Sequence, residues 1–212
     1  MAMIQQLRNS LRRKINAWKS IQTLYMPATS LLQSNAESSS CSMSDVITAP
    51  EDIKLWLPSS LCDLNKHMSC STRLLIIEWE LRYAQAGDSL KEIRQNLRLR
   101  DHMYTFKRNW IRGQGANTCT QNALSHIEIK AAMAAERYRG AHAAISSLAP
   151  VLGKVGWDVQ FKVLDKKDDV HGMAAPKGRE SEGRRQLSWI WLVEGVGDDK
   201  DEAVQDSESC SH

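Results

Sequence analysis

Residues 124–148, with the sequence LSHIEIKAAMAAERYRGAHAAISSL, decide the fold of this chain. Apolar side chains recur there in alternating steps of three and four, and such a 3.5-residue repeat is typical of a coiled-coil seam. The members of the repeat are Leu124, Ile127, Ala131, Ala134, Tyr138, Ala141, Ile145 and Leu148. The pattern predicts a long helix over 117–149 that Pro150 and Gly153 bring to an end.

A second long helix is predicted over residues 72–112, beginning at an N-cap of Ser71 or Thr72. Its predicted apolar stripe slips in phase at Gly87. Gly87 is also the expected interruption of the helix, because glycine costs about 1 kcal/mol relative to alanine inside a helix. The stripe consists of Leu74, Ile77, Leu81 and Ala84, followed by Ala86, Leu90, Ile93 and Leu97.

The glycines at 113 and 115 permit a tight reversal between the two helices. Asn117 or Thr118 is the expected N-cap of the return helix. A short connection places the helices antiparallel with their stripes face to face. The predicted fold class is therefore all-α: a long, coiled-coil-like antiparallel helical hairpin with short flanking helices and disordered tails.

The N-terminal segment predicts an amphipathic helix over 3–25 that Pro27 ends. It carries arginines and lysines, and residues 1–36 contain no acidic side chain. We favour an ordinary helix whose apolar stripe packs on the rest of the protein, or an unstructured leader, over a targeting role. A mitochondrial transit peptide and a helix on an anionic membrane surface stay open as alternatives. No apolar run approaches the roughly 20 residues of a membrane span.

The flanking segments predict short or irregular structure. Pro50 opens a short helix that Pro58 ends, and the alternating apolar residues of 157–163 indicate a strand, with a bent helix as the alternative. The apolar block 189–193 is expected to dock on the hairpin. The predicted organisation is a basic amphipathic helix (1–27), a Ser-rich linker (28–49), a helical hairpin domain (50–193) and an acidic disordered tail (194–212).

No catalytic or metal centre is expected. Cys62, His67 and Cys70 supply three of the four ligands that zinc needs, and ordinary thiols are the favoured interpretation. The odd number of cysteines, five, and the absence of a CxxC pattern favour a reducing, intracellular compartment. His171 follows two aspartates in a polar segment without a nearby nucleophile. The sequence predicts no enzyme, no cofactor and no small-molecule substrate.

The second predicted helix carries a basic stretch with interleaved aromatic residues. The candidate nucleic-acid ligands are Lys91, Arg94, Arg98, Lys107, Arg108 and Arg112. Such side chains neutralise backbone phosphates, and Tyr104, Phe106 and Trp110 offer stacking surfaces. The favoured alternative is a solvated helix face whose aromatics pack on the partner helix. Possible partners are therefore DNA and, through the hairpin, a second copy of the chain.

Several separated strings resemble the C-terminal helical region of fungal Kyakuja–Dileera–Zisupton transposases. They lie, in order, at 57–61, 80–94, 106–118, 137–139 and 182–191, and the last, EGRRQLSWIW, is the most distinctive. The resemblance implies a non-catalytic transposase-derived fragment, because the family's metal-binding acidic residues lie upstream of the matched region. It also favours a nuclear location, whereas the acid-free N-terminus leaves a mitochondrial one open. Cys119, where the family tends to have arginine, is a departure from the pattern.

Overall fold

The computed structural model describes residues 2–27, 29–39, 49–64, 70–165, 169–172 and 188–193. The described helices are α1 (Ala2–Tyr25), α2 (Thr29–Ser39), α3 (Pro58–Leu64), α4 (Thr72–Trp110), α5 (Gln114–Leu152) and α6 (Trp157–Gln160). The described residues also include 3₁₀ turns at Pro50–Asp52 and Trp189–Trp191. The predicted all-α class is confirmed, and α4 and α5 pack against each other as a hairpin.

The chain divides into two compact units. The first consists of residues 1–81 with 144–154, and the second of 82–143 with 155–212. Both long helices run through both units.

The seam of α5 is the best-predicted feature of the fold. All eight side chains of the 124–148 repeat are buried, and Ala135, Ala144 and Ala149 are buried beside them. The second unit gives the register of the antiparallel pair. Tyr104 bonds to Glu128 at 3.1 Å, Lys107 to Gln121 at 2.7 Å, and Arg137 pairs with Glu92.

The first part of the α4 stripe differs from the prediction. Leu75 and Trp79 are buried, whereas Ile77 and Leu81 are exposed. The buried positions continue in helical steps through Ala86, Leu90, Ile93 and Leu97. The predicted phase slip and interruption at Gly87 are therefore wrong, because α4 is continuous and its seam runs from Leu75. This part of α4 is apolar on two faces, and the sequence analysis assigned the seam to the face of Ile77 and Leu81 rather than to that of Leu75 and Trp79.

Glycines set the ends of α5. Gly113 has a φ of +87°, and its carbonyl accepts the N–H of Asn117 at 3.2 Å, so the helix begins at Gln114 rather than at a cap of Asn117 or Thr118. At the other end, Gly153 has a φ of +63°, and the Lys154 N–H donates to Ala149 O at 3.0 Å. This six-to-one bond is that of a Schellman C-cap.

Proline positions account for another correction. Pro58 does not end a helix but opens α3, and the backbone of 53–57 before it is irregular. A proline at the first helical position loses nothing, because its missing N–H would have had no partner there. The next backbone N–H of α3, that of Ser59, also has no partner within the helix and donates instead to Glu78 of α4. Ser59 N–H and Oγ donate to the two carboxylate oxygens of this buried residue, at 2.8 and 2.7 Å.

Other predicted segments have mixed outcomes. The N-terminal helix is confirmed as α1. Residues 29–39 of the predicted linker form α2, and 40–48 lie outside the described residues, as does the acidic tail 194–212. The predicted strand at 157–163 is also wrong. A single helical turn places Phe161 one turn after Trp157, and the Phe161 N–H donates to the Trp157 carbonyl at 2.9 Å.

An aromatic cluster forms the core of the second unit around Tyr138. Its hydroxyl donates to Lys162 O at 2.6 Å, and its ring lies 6.3 Å from that of Phe161 and 6.0 Å from that of Trp189. Burial raises the pKa of Tyr138, so the hydroxyl stays a neutral donor. Burial also lowers the pKa of His142 beside it, against a smaller opposing effect of the Phe161 backbone.

Candidate nucleic-acid interface

The six predicted phosphate ligands fall into two groups along α4. Lys91, Arg94 and Arg98 lie near its middle, whereas Lys107 and Arg108 lie in its last turn and Arg112 lies in the loop that follows. The groups have different surroundings and are therefore considered separately.

Arg94 is a structural residue. Its side chain is only 7% exposed, its Nε donates to the Ile190 carbonyl, and its Nη2 donates to Val193 O at 3.0 Å. Burial, with a smaller contribution from the charge of Arg98, lowers its pKa. The guanidinium holds the 188–193 segment on the hairpin and is not presented to solvent, so its place among the phosphate ligands is corrected.

The docking of the 189–193 block on the hairpin is confirmed by the same contacts. Ile190 is fully buried in the second unit. Arg98 places its guanidinium carbon 5.6 Å from the centre of the Trp191 ring, a distance typical of a cation–π contact. Lys91 is half-buried. Arg94 and Arg98 thus both contact the 188–193 segment.

The second group surrounds an open cleft of about 540 Å³ at the hairpin turn. Its lining combines three cationic side chains with hydroxyl and amide groups. The lining residues are Tyr104, Thr105, Lys107, Arg108, Ile111, Arg112 and Asn117. We call this site the tip cleft.

Hydrogen bonds place two of the cations at the tip cleft. Lys107 Nζ donates to Gln121 Oε1 at 2.7 Å, across the turn. Arg112 Nη1 donates to the carbonyls of Arg108 and Ile111, at 3.2 and 3.0 Å. These partners are neutral, so the bonds position both charges without cancelling them. A phosphate oxygen is a suitable ligand for such charges.

The acidic groups near the tip cleft are few. Tyr104 Oη donates to Glu128 Oε1 at 3.1 Å, and burial followed by that carboxylate raises the pKa of the tyrosine. Asp101 lies 3.6 Å from the guanidinium of Arg100. The first turn of α5 contains no acidic residue, so its positive helix end adds to the field of the cations.

The three interleaved aromatic residues do not share one surface. Tyr104 lines the cleft, whereas Phe106 and Trp110 do not. Phe106 and Trp110 are 43% and 74% exposed and lie one turn apart on α4, so they occupy the same face. The expectation that the aromatics pack on the partner helix is thus wrong for this pair.

Sequence reasoning missed the polar residues of the site. Thr105 and Asn117 line the cleft, and Gln121 holds Lys107. Asn117 and Gln121 lie on α5, and only the register of the hairpin brings them to the basic end of α4. A spacing along the sequence carries no signal for such a pairing.

The cysteine cluster offers no metal site among the described residues. Cys62 and Cys70 are half-buried, and His67 lies outside the described ranges. Burial, then Cys62 and Glu78, raise the pKa of Cys70, and its Sγ lies 3.6 Å from Met26 Sδ. Across the described residues no three His, Cys, Asp or Glu side chains are grouped to hold an ion.

Comparison with protein families, with curated proteins and with solved structures returned no match for this chain. The fold alone defines the class of this protein, which is an all-α helical hairpin with basic side chains around the tip cleft. The transposase resemblance rests on the quoted sequence strings, and the most distinctive string lies mostly in 182–187, outside the described residues. No described helix is long and apolar enough to cross a lipid bilayer.

Proposed function

We infer that this chain is a non-catalytic interaction module that binds nucleic acid through its hairpin tip, by contacts to the phosphate backbone rather than to bases. The observation that carries the proposal is the tip cleft, where Lys107, Arg108 and Arg112 surround one open site. Origin from a transposase, as the sequence strings suggest, is consistent with such a ligand.

The geometry favours a weak, sequence-independent complex. Three cations around one cleft neutralise about three phosphates, and polar groups such as Thr105 and Asn117 can bond further phosphate oxygens. The exposed pair Phe106 and Trp110 provides a stacking surface for unpaired bases.

Salt dependence provides the first test. With about three phosphates neutralised, the slope of log K against log salt is about −2.7 for duplex DNA. Affinity should therefore fall about 40-fold between 50 and 200 mM salt. Fluorescence anisotropy of a labelled 20-base-pair duplex measures this slope, and two unrelated duplex sequences should give equal affinities.

The matched variants locate the site. Lys107→Gln, Arg108→Gln and Arg112→Gln together should reduce binding at 50 mM salt to background. The control replaces three exposed cations outside the cleft, Arg73, Lys130 and Lys162, by glutamine, which changes the net charge equally. Equal losses in both triple variants, or no binding by the unmodified chain at 50 mM salt, would reject the tip as the binding site.

A second candidate function is self-association through the hairpin. Ile129 and Met133 lie one turn apart on α5 and are both exposed, so they form an apolar patch on its surface. A sedimentation coefficient that rises with concentration, and that Ile129→Gln with Met133→Gln holds constant, would support this candidate. A monomer at every concentration would exclude it.

A further inference from the structure

One face of α1 is apolar and open to solvent. Leu7, Ile21 and Leu24 are 62%, 56% and 79% exposed, and Met3 and Tyr25 are exposed as well. The adjacent face is packed: Ile15 and Gln22 are buried, and Arg8 pairs with Glu51 in the Pro50–Asp52 turn. The favoured expectation, that the apolar stripe packs on the protein, therefore holds for only part of the helix.

The open face continues onto α4 within the first unit. Ile21 and Tyr25 line an apolar cleft of about 250 Å³ together with Leu74, Ile77 and Leu81. These α4 residues are the ones that sequence analysis had assigned to the hairpin seam. Their exposure thus belongs to one contiguous apolar surface that includes both helices.

The charge on α1 is of one sign, whereas the α4 side of the cleft carries Glu78. Residues 1–36 have five basic and no acidic side chains. Arg13 and Lys14 are exposed, and Lys14 lies two turns after Leu7 and two turns before Ile21, which places it on the apolar face. Arg8 donates to Glu51 and that bond is the main cause of the lowered pKa of Glu51, to which the charge of Arg12 also contributes.

From these observations we propose that α1 binds an anionic lipid surface, lying in the plane of the headgroups with Met3, Leu7, Ile21 and Leu24 inserted. At 1.5 Å per residue its 24 residues span about 36 Å. Exposed apolar side chains flanked by lysine and arginine are the pattern of interfacial helices, which insert roughly 5–10 Å. Trp18 and Tyr25 supply the amphipathic rings that favour the interface.

The positive charge of α1 favours an anionic lipid surface, rather than a second copy of this chain, as the partner of its exposed face. Two copies that pair through α1 bring two acid-free basic helices together, and such like-charge juxtaposition opposes association. Anionic headgroups instead attract each lysine and arginine near the surface. The proposal is independent of nucleic-acid binding, since the tip cleft lies in the second unit.

Co-sedimentation of the full chain with vesicles tests the proposal. Binding is expected to vesicles of phosphatidylcholine with 30% phosphatidylserine, and to be at least roughly tenfold weaker with phosphatidylcholine alone. Leu7→Gln, Ile21→Gln and Leu24→Gln together should weaken binding to the anionic vesicles at least roughly tenfold. Arg13→Gln with Lys14→Gln should weaken it by a similar factor.

Two controls separate this surface from others. Val155, Val159 and Val163 are exposed apolar residues of the second unit, and their replacement by glutamine should leave vesicle binding unchanged. The Lys107, Arg108 and Arg112 triple variant should also keep it. The proposal is overturned if the unmodified chain does not bind anionic vesicles, if the α1 and valine variants behave alike, or if the α1 variant changes only a dimer seen by sedimentation.

Discussion

Replacing Tyr138 by alanine is expected to lower the free energy of unfolding by about 3–5 kcal/mol, the usual cost of emptying a large buried aromatic site. Tyr138 is fully buried in the α5 seam. Its ring lies against Phe161 and Trp189, and its hydroxyl holds the carbonyl of Lys162. The substitution therefore removes helix packing and the bond that holds the Lys162 carbonyl on α5.

Urea unfolding followed by circular dichroism measures this effect. Tyr138→Phe retains the ring and loses only the bond to Lys162 O, so it should cost about 1 kcal/mol and keep the prediction testable if the alanine variant does not fold. Met133→Ala, at an exposed position of the same helix, should stay within about 0.5 kcal/mol. A cost below 1 kcal/mol for Tyr138→Ala would contradict the seam.

Replacing Arg94 by alanine is expected to cost about 2–4 kcal/mol and to free the 188–193 segment. Hydrogen bonds to charged groups contribute about 1.5–3 kcal/mol each, and their loss leaves the carbonyls of Ile190 and Val193 without this donor. Hydrogen exchange should show the loss directly. The amides of Trp191 and Leu192, bonded at 3.0 and 2.9 Å within the 3₁₀ turn, should lose protection.

Arg98 is the matched control for Arg94. It lies one turn further along α4, is exposed, and contacts the Trp191 ring, so Arg98→Ala should cost less than about 1 kcal/mol. Arg94→Ala should leave DNA affinity unchanged when the protein is folded. A stable Arg94→Ala protein that no longer binds DNA would instead make Arg94 a phosphate ligand, as the sequence alone suggested.

The seam of α5 could be predicted because its 3.5-residue repeat is unbroken. Every member of the repeat from Leu124 to Leu148 is buried, whereas the exposed apolar pair Ile129 and Met133 forms a short second patch. The start of α4 has two apolar stripes, through Leu74 and through Leu75, and periodicity cannot choose between them. The Leu74 face instead lines an apolar cleft of the first unit together with Ile21 and Tyr25 of α1.

Predictions from short sequence patterns were wrong where the same residue or pattern is compatible with two local structures. Proline lacks an N–H, so it suits the first turn of a helix as well as the end of one, and Pro58 takes the first role. The four alternating apolar residues of 157–163 were too few to separate a strand from a helical turn followed by extended backbone.

The sequence showed where the basic residues of the candidate site lie along the chain, but not which of them are buried. A run of basic residues shows that charge is present, but burial depends on residues far along the chain. Arg94 lies beside the seam residue Ile93, and the carbonyls that bind it come from positions 190 and 193. Lys107, Arg108 and Arg112 stay at the surface because the helices end there, and the chain turn gathers them around one cleft.

The antiparallel pairing of α4 and α5 is tested most directly by pulsed electron paramagnetic resonance between nitroxides at Glu92 and Arg137, in a chain without its native cysteines. Their ion pair is exposed and contributes little to stability, so labelling both sites is tolerated. The hairpin predicts a separation below about 20 Å between labels at Glu92 and Arg137. Labels at Glu92 and Thr118 should lie about 30 Å apart, because Thr118 is about 28 Å further along α5 than Arg137 at a rise of 1.5 Å per residue. A separation near 68 Å for Glu92 and Arg137, the length of one uninterrupted helix between them, would contradict the hairpin.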